Sequence, residues 1–207
     1  MDIDTPTVFV VDDDDAVRSS LQRLLTSAGY RCEVHASAES FLNSFKASRA
    51  GCVLLDIRMP GMSGLELQQV LNERDVRIPI IVLTGHGSIP LAVTATRAGA
   101  VEFLEKPPDP DVLLQRVREG FIRDQSRREI EADIEYAATV MAGFTPNHRE
   151  LASPLLSGQP VDKISADLGL PHATVIAKRD LVMRQLGTNG FATLTRAVAR
   201  GYKIHTL

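Results

Sequence analysis

The sequence predicts an α/β protein built on a parallel sheet, followed by an all-helical segment. Three observations predict it. Short apolar runs recur in the first half, at Val8-Phe9-Val10-Val11, Cys52-Val53-Leu54-Leu55, Ile80-Ile81-Val82-Leu83 and Val101-Glu102-Phe103-Leu104. Stretches with helical apolar spacing separate them, and strands that are apolar throughout imply a parallel sheet covered on both faces. From about residue 144 the pattern is helical only, punctuated by Gly158, Gly169-Leu170-Pro171 and Gly187-Thr188-Asn189-Gly190.

Residues 7–12 read as a buried strand. Asp14 to Ala28 reads as a helix, with Val17, Leu21, Leu24 and Leu25 on one face and Gly29 as its stop. Asp14 and Asp15 suit its positive N-terminal end. Residues 30–35 are a strand, 37–46 a helix, 52–56 a strand and 63–73 a helix. Residues 79–84 are a strand, 88–98 a helix and 101–104 a strand, and a last helix starts near Asp109.

Residues 109–142 contain no strong break. Ile122, Ile130, Ile134, Ala138 and Met141 recur at roughly helical intervals around the charged run Arg123-Asp124-Gln125-Ser126-Arg127-Arg128-Glu129. Two readings stand for this stretch: a solvated linker helix, or a helix that self-associates across a dimer. Thr145-Pro146 then resembles an N-cap followed by Pro at the first helical position. Four short helices, with a tight Gly turn before the third, suit a helix-turn-helix unit.

A chain of 207 residues suits one or two domains. It contains no apolar run of about 18 residues, so no membrane span is expected. The start, Met1-Asp2-Ile3-Asp4, lacks the basic region of a secretion signal. Cys32 and Cys52 fall inside apolar strand patterns and read as reduced core residues, which suits a cytoplasmic protein. The net charge is −3, but residues 144–207 hold eight Lys and Arg against four acids, a balance of +4 that leaves −7 on the rest. An acidic part joined to a mildly basic one suggests a regulator with a nucleic-acid module.

The chemistry lies just past the strand ends. Asp12 and Asp13 follow the first run, Asp56 the second, Thr84 closes the third and Lys106 follows the fourth. In an open parallel sheet that edge is where ligands bind. Three acids can hold a divalent cation, and a Lys with a Thr can hold a phosphoryl group. Together they describe a phosphate-accepting switch.

Asp12-Asp13, the segment Asp56-Ile57-Arg58-Met59-Pro60-Gly61-Met62-Ser63-Gly64, Thr84-Gly85-His86-Gly87 and Glu105-Lys106-Pro107 resemble, in order, the receiver domain of bacterial response regulators. They are most similar to the FixJ branch of the FixJ/NarL group, over residues 7 to about 120. The resemblance implies a flavodoxin-like five-stranded sheet of order 2-1-3-4-5 and Asp56 as phosphoacceptor. It implies Mg²⁺ held by Asp13, by Asp12 through bound water, by Asp56 and by the backbone carbonyl of Arg58. Lys106 and Thr84 would meet the phosphoryl oxygens, Phe103 would be the aromatic switch partner of Thr84, and the Lys106–Pro107 bond would be cis. One departure is Pro107-Pro108-Asp109-Pro110, where an aromatic residue commonly follows Lys-Pro.

Residues 144–201 resemble the LuxR-type helix-turn-helix of the same group, through Phe144-Thr145, Arg149-Glu150, Gly158, Lys163 to Gly169, Thr174-Val175 and Arg179. The recognition helix is expected from about Pro171 to Leu186, with Lys163, Thr174, Lys178, Arg179 and Arg184 as DNA contacts. Departures are His148 at the family's capping Glu, Pro154 inside the first helix, Ile176 at a basic position and Lys178 at a His.

These readings give a receiver at 1–120, a helical linker at 121–143 and a helix-turn-helix domain at 144–207. The implied protein is not an enzyme but a response regulator. A sensor histidine kinase phosphorylates it with Mg²⁺, and it then forms a homodimer on double-stranded promoter DNA. The alternative is an adaptor whose diverged helix-turn-helix binds a protein. A hydrolytic metalloenzyme using Asp12, Asp13 and Asp56 lacks a positioned His base, because His86 lies between two glycines.

Overall fold

The computed structural model describes residues 5–85, 102–143, 151–152 and 154–199, without every side chain in the helices beyond residue 136. The expected helix at 88–98, His86, and the capping positions Thr145, Pro146 and His148 lie outside the described residues. The chain divides into two compact units, Met1–Ser126 and Arg127–Leu207.

In the first unit the described elements are β1 (Thr7–Val11), α1 (Asp15–Ser27), β2 (Arg31–His35), α2 (Ala38–Ser44), β3 (Gly51–Asp56), α3 (Gly64–Glu73), β4 (Ile80–Thr84) and β5 (Glu102–Glu105). Helix α4 (Pro110–Ala142) begins here and runs past the unit boundary. The five strands are parallel in the order β2-β1-β3-β4-β5, as the resemblance implied.

Alternation along each strand builds two cores, because successive side chains point to opposite faces. Phe9, Val11, Val53, Leu55, Ile80 and Val82 meet Phe41 of α2 and Leu67 and Leu71 of α3. Val8, Val10, Cys52, Leu54, Ile81 and Leu83 meet Leu21 and Leu25 of α1 and Leu113 and Val117 of α4. Every residue of β1, β3 and β4 is buried, which is why these strands read as unbroken apolar runs. The edge strands β2 and β5 are only partly buried.

Local chemistry sets the element ends. The Asp14 carboxylate accepts the N–H groups of Ala16 and Val17 and caps α1, as expected. Ser63 and Glu66 form a capping box at the start of α3. The Asp109 carboxylate accepts from the Asp111 and Val112 amides, so Pro110 opens α4 where no helical donor is needed.

The second unit contains α5 (Val161–Leu168) and α6 (His172–Ala199), with helical residues also at 151–152 and 154–156. Residue 153 lies outside the described residues, so the effect expected of Pro154 on the first helix does too. Gly169 closes α5 at φ 62° and lets the chain turn into α6. Gly187, at φ 63° and ψ 172°, breaks α6 next to the expected end of the recognition helix. Leu151, Ile164 and Val175 form the core of this unit.

Candidate functional site

The expected site residues converge at the carboxyl edge of the sheet. Val11 pairs with Leu55 across β1 and β3, so Asp12, just past β1, stands beside Asp56 at the end of β3. The chain passes from β1 to β2 on one side and to β3 on the other. That reversal makes this edge the topological switch point.

Asp12 and Asp56 are buried, at 1% and 7% exposure, and Asp13 is exposed. One carboxylate oxygen from each of Asp12, Asp13 and Asp56 lies within 4.8 Å of the others. Lys106 reaches in from the turn after β5, with Nζ 2.6 Å from Asp12 Oδ2 and 2.9 Å from Asp56 Oδ2. One ammonium against three carboxylates leaves the cluster negative. An all-oxygen donor set of that charge fits a hard divalent cation such as Mg²⁺.

Burial pushes the Asp12 carboxyl above the usual carboxylate range, outweighing the opposing pull of Lys106 and the Asp14 amide. Burial also works against the Lys106 ammonium, but its hydrogen bonds and charge interactions with Asp12 and Asp56 prevail and raise its pKa. Lys106 is therefore held as a cation.

The backbone fixes this group. The Asp12 amide donates to the His35 carbonyl at 3.1 Å, and Arg18 Nη1 donates to the Asp12 carbonyl at 2.7 Å. The Arg58 amide lies 3.3 Å from Asp56 Oδ1, to which it donates. Thr84 is buried, and its carbonyl accepts the Lys106 amide at 2.8 Å, so the two positions are tied through the backbone. The Lys106–Pro107 bond is cis. Phe103 is half-buried, pairs with Val82 in register and packs at the margin of the Phe9 core.

Three residues that make specific contacts in this unit, two near the site and one away from it, were not singled out from sequence. Arg18 holds the Asp12 carbonyl and Asp15; a cation one turn after an acidic cap was the available signal. Glu39 accepts the Met62 amide from the far side of the loop after Asp56. Asp124 is 2% exposed, although it lies in the charged run read as a solvated linker. That reading fails at this position because the helix carries Asp124 over the start of β3, where the Gly51 amide donates to it.

In the second unit Thr174, Lys178 and Arg179 are half-buried, and Lys163 and Arg184 are exposed. The Arg179 guanidinium is paired with Asp180 at 2.9 Å, a competitor for any phosphate it would meet. Ile176 is half-buried. Both cysteines are free. Burial, with a smaller contribution from Glu33, pushes the Cys32 thiol up to about 11, and burial raises Cys52 further, so both stay protonated core groups. Among the described residues no helix is long and apolar enough to cross a membrane.

Comparison with known proteins agrees with this geometry. The response regulator receiver domain family matches residues 8–118. The transcriptional regulatory protein FixJ of Azorhizobium caulinodans is 41% identical over 191 residues, covering 91% of this chain and 90% of its own. Nodulation protein W of Bradyrhizobium diazoefficiens is 36% identical over 189 residues, covering 91% of this chain and 83% of its own. Among solved structures, the response regulator StyR matches with a TM-score of 0.74 at 37% identity, over 95% of this chain and 99% of its own. Full-length FixJ from B. japonicum matches with a TM-score of 0.57 at 32% identity, over 99% of each chain. The chain therefore belongs to the response regulators of two-component systems, in the group that contains the FixJ transcriptional regulators.

Proposed function

We propose that this protein is a phosphorylation-dependent transcription regulator with Asp56 as phosphoacceptor. The observation that carries the reading is the bridging of Asp12 and Asp56 by Lys106 at the switch point of the sheet, with Asp13 in reach. A sensor histidine kinase is the phosphodonor. An Asp56 oxygen bonds to phosphorus as the bond from phosphorus to the kinase histidine breaks. Anion approaches anion in that step, so charge must be neutralised. Asp12, Asp13, Asp56 and the Arg58 carbonyl would hold Mg²⁺, which supplies that neutralisation when bound. Lys106 adds a fixed positive charge against the phosphoryl oxygens. The Thr84 hydroxyl then turns to the phosphoryl group, and Phe103 fills the space it leaves, forming a two-state element.

In this reading the phosphorylated chain dimerises and the helix-turn-helix docks on promoter DNA through Lys163, Thr174, Lys178, Arg179 and Arg184. The domains in this reading are a receiver at 1–120, a linker at 121–143 whose first residues pack on the receiver as far as Asp124, and an output module at 144–207. An adaptor that binds a protein instead is favoured by Ile176 and by the Arg179–Asp180 pair, which reduce the free charge of the recognition helix. The two readings separate on one titration. The phosphorylated full chain is titrated on genomic duplex DNA at low and high salt. Salt-dependent binding supports the regulator, and no binding at low salt favours the adaptor.

A further inference from the structure

Glu39 stands on α2, yet its carboxylate reaches the loop that follows Asp56. That loop, residues 57–63, joins β3 to α3 and carries Arg58. It is pinned at three places. The Gly64 amide donates to the Ile57 carbonyl at 2.9 Å, and a Cβ at Gly64 would collide with the Asp56 carbonyl oxygen. At the capping box, Ser63 Oγ accepts the Glu66 amide at 3.3 Å and the Glu66 carboxylate accepts the Ser63 amide at 2.8 Å. The third tie comes from a different element: Glu39 Oε1 accepts the Met62 amide at 3.1 Å. Gly61 passes over the same carboxylate at φ 75°, and an added Cβ would sit 3.1 Å from Glu39 Oε1, so a side chain there would be strained and would push on the carboxylate.

The loop in turn touches the acceptor, because the Arg58 amide donates to Asp56 Oδ1. Fixing Met62 limits the freedom of the short turn between it and Arg58. An ionised acceptor holds an N–H more strongly than a neutral one, so a carboxylate is a suitable anchor at this exposed place.

We infer that Glu39 is a positioning residue for the phosphoacceptor site, acting through the Met62 amide to hold the turn that orients Asp56 and presents the Arg58 carbonyl. The inference rests on the proposed role of Asp56. Glu39 touches neither Asp56 nor a cation. Its effect is on how well the oxygen set is preorganised, not on the bond made to phosphorus.

The test uses the full chain as wild type, Glu39→Ala and Glu39→Gln. Mg²⁺ affinity is measured by calorimetry without any phosphodonor. The rate of labelling by acetyl phosphate is then followed against Mg²⁺ concentration, with thermal unfolding as the control for folding. Glu39→Ala should weaken Mg²⁺ binding severalfold and by no more than about tenfold, the low end for groups that touch a ligand directly, because Glu39 acts one step further out. It should raise the Mg²⁺ needed for half-maximal labelling by the same factor and leave the saturated rate and the melting temperature nearly unchanged. Glu39→Gln keeps an acceptor oxygen and should recover most of the affinity. Equal Mg²⁺ affinity in wild type and Glu39→Ala would overturn the inference. So would a loss that tracks unfolding and is not recovered by Glu39→Gln. A wild type that binds Mg²⁺ but takes no phosphate would sink the Asp56 reading alone, with the calorimetry still deciding the role of Glu39.

Discussion

The Gly51 amide donates to the buried carboxylate of Asp124 at 2.9 Å, across 73 residues of sequence. The bond ties the start of β3 to α4 at the end of the sheet opposite the acidic cluster. Gly51 has φ 149°, and a Cβ there would run into the Thr7 carbonyl oxygen, so the backbones are packed too closely for any other residue. Asp124→Ala leaves a buried N–H without its acceptor, at a cost of about 1–3 kcal/mol. Asp124→Asn keeps an acceptor and should lose less. Amide hydrogen exchange at Gly51 checks this: it should accelerate strongly in the Ala variant and weakly in the Asn variant.

A second prediction concerns acid stability. Arg49 donates to both Glu33 oxygens, at 2.6 and 2.5 Å, and stands 4.7 Å over the Phe9 ring. The hydrogen bonds from Arg49 hold the Glu33 carboxyl below its usual range, against an opposing push from burial. A carboxyl whose folded pKa is depressed stabilises above its unfolded pKa and loses that contribution as pH falls through the folded value. Urea unfolding should therefore show stability falling below the ordinary glutamate range. In Glu33→Gln that part of the slope should be missing, and the loss at neutral pH should be about 1 kcal/mol or less, because the pair is partly exposed.

A third prediction concerns assembly. Phosphorylation adds about −1.5 to −2 of charge. Through Thr84 and Phe103 it should shift the chain toward a dimer, by as much as the two states differ in affinity for the phosphoryl group. Sedimentation with and without a fluoroberyllate mimic reads this directly. Equal masses over a wide concentration range would refute it.

The fourth concerns the recognition helix. With Ile176 at a usually basic position and Arg179 paired to Asp180, Lys178 should carry a disproportionate share of phosphate contact. Lys178→Ala should weaken binding to all duplex sequences alike and reduce the salt slope by about one unit. Ile176→Lys should strengthen non-specific binding. Titrations of the full chain at two salt concentrations measure both, and an adaptor would show neither effect.

The sheet was legible because β1, β3 and β4 are buried on both faces, so their central residues are apolar on both sides of the sheet and polar groups fall only at the strand ends. Asp12, Asp56 and Lys106 were legible because functional groups at strand ends share one edge once the strands are parallel. The Asp14 cap was legible because helix starts have a short chemical vocabulary. Asp124 and Glu39 were not. Asp124 lies in a run of charges that reads as solvated until the helix packs over β3, and Glu39 reads as an ordinary first-turn acid until the loop after Asp56 folds against it. Both roles depend on partners distant in sequence, and no local pattern encodes them.

Intact mass spectrometry of the full chain after exposure to a small phosphodonor tests the central claim most directly. With Mg²⁺ present the wild type should gain the mass of one phosphate; without Mg²⁺ it should gain none. Asp56→Asn should stay unmodified under both conditions, since it keeps the shape of the site but lacks the nucleophilic carboxylate. Equal labelling of wild type and Asp56→Asn would contradict the assignment of Asp56 as the phosphoacceptor.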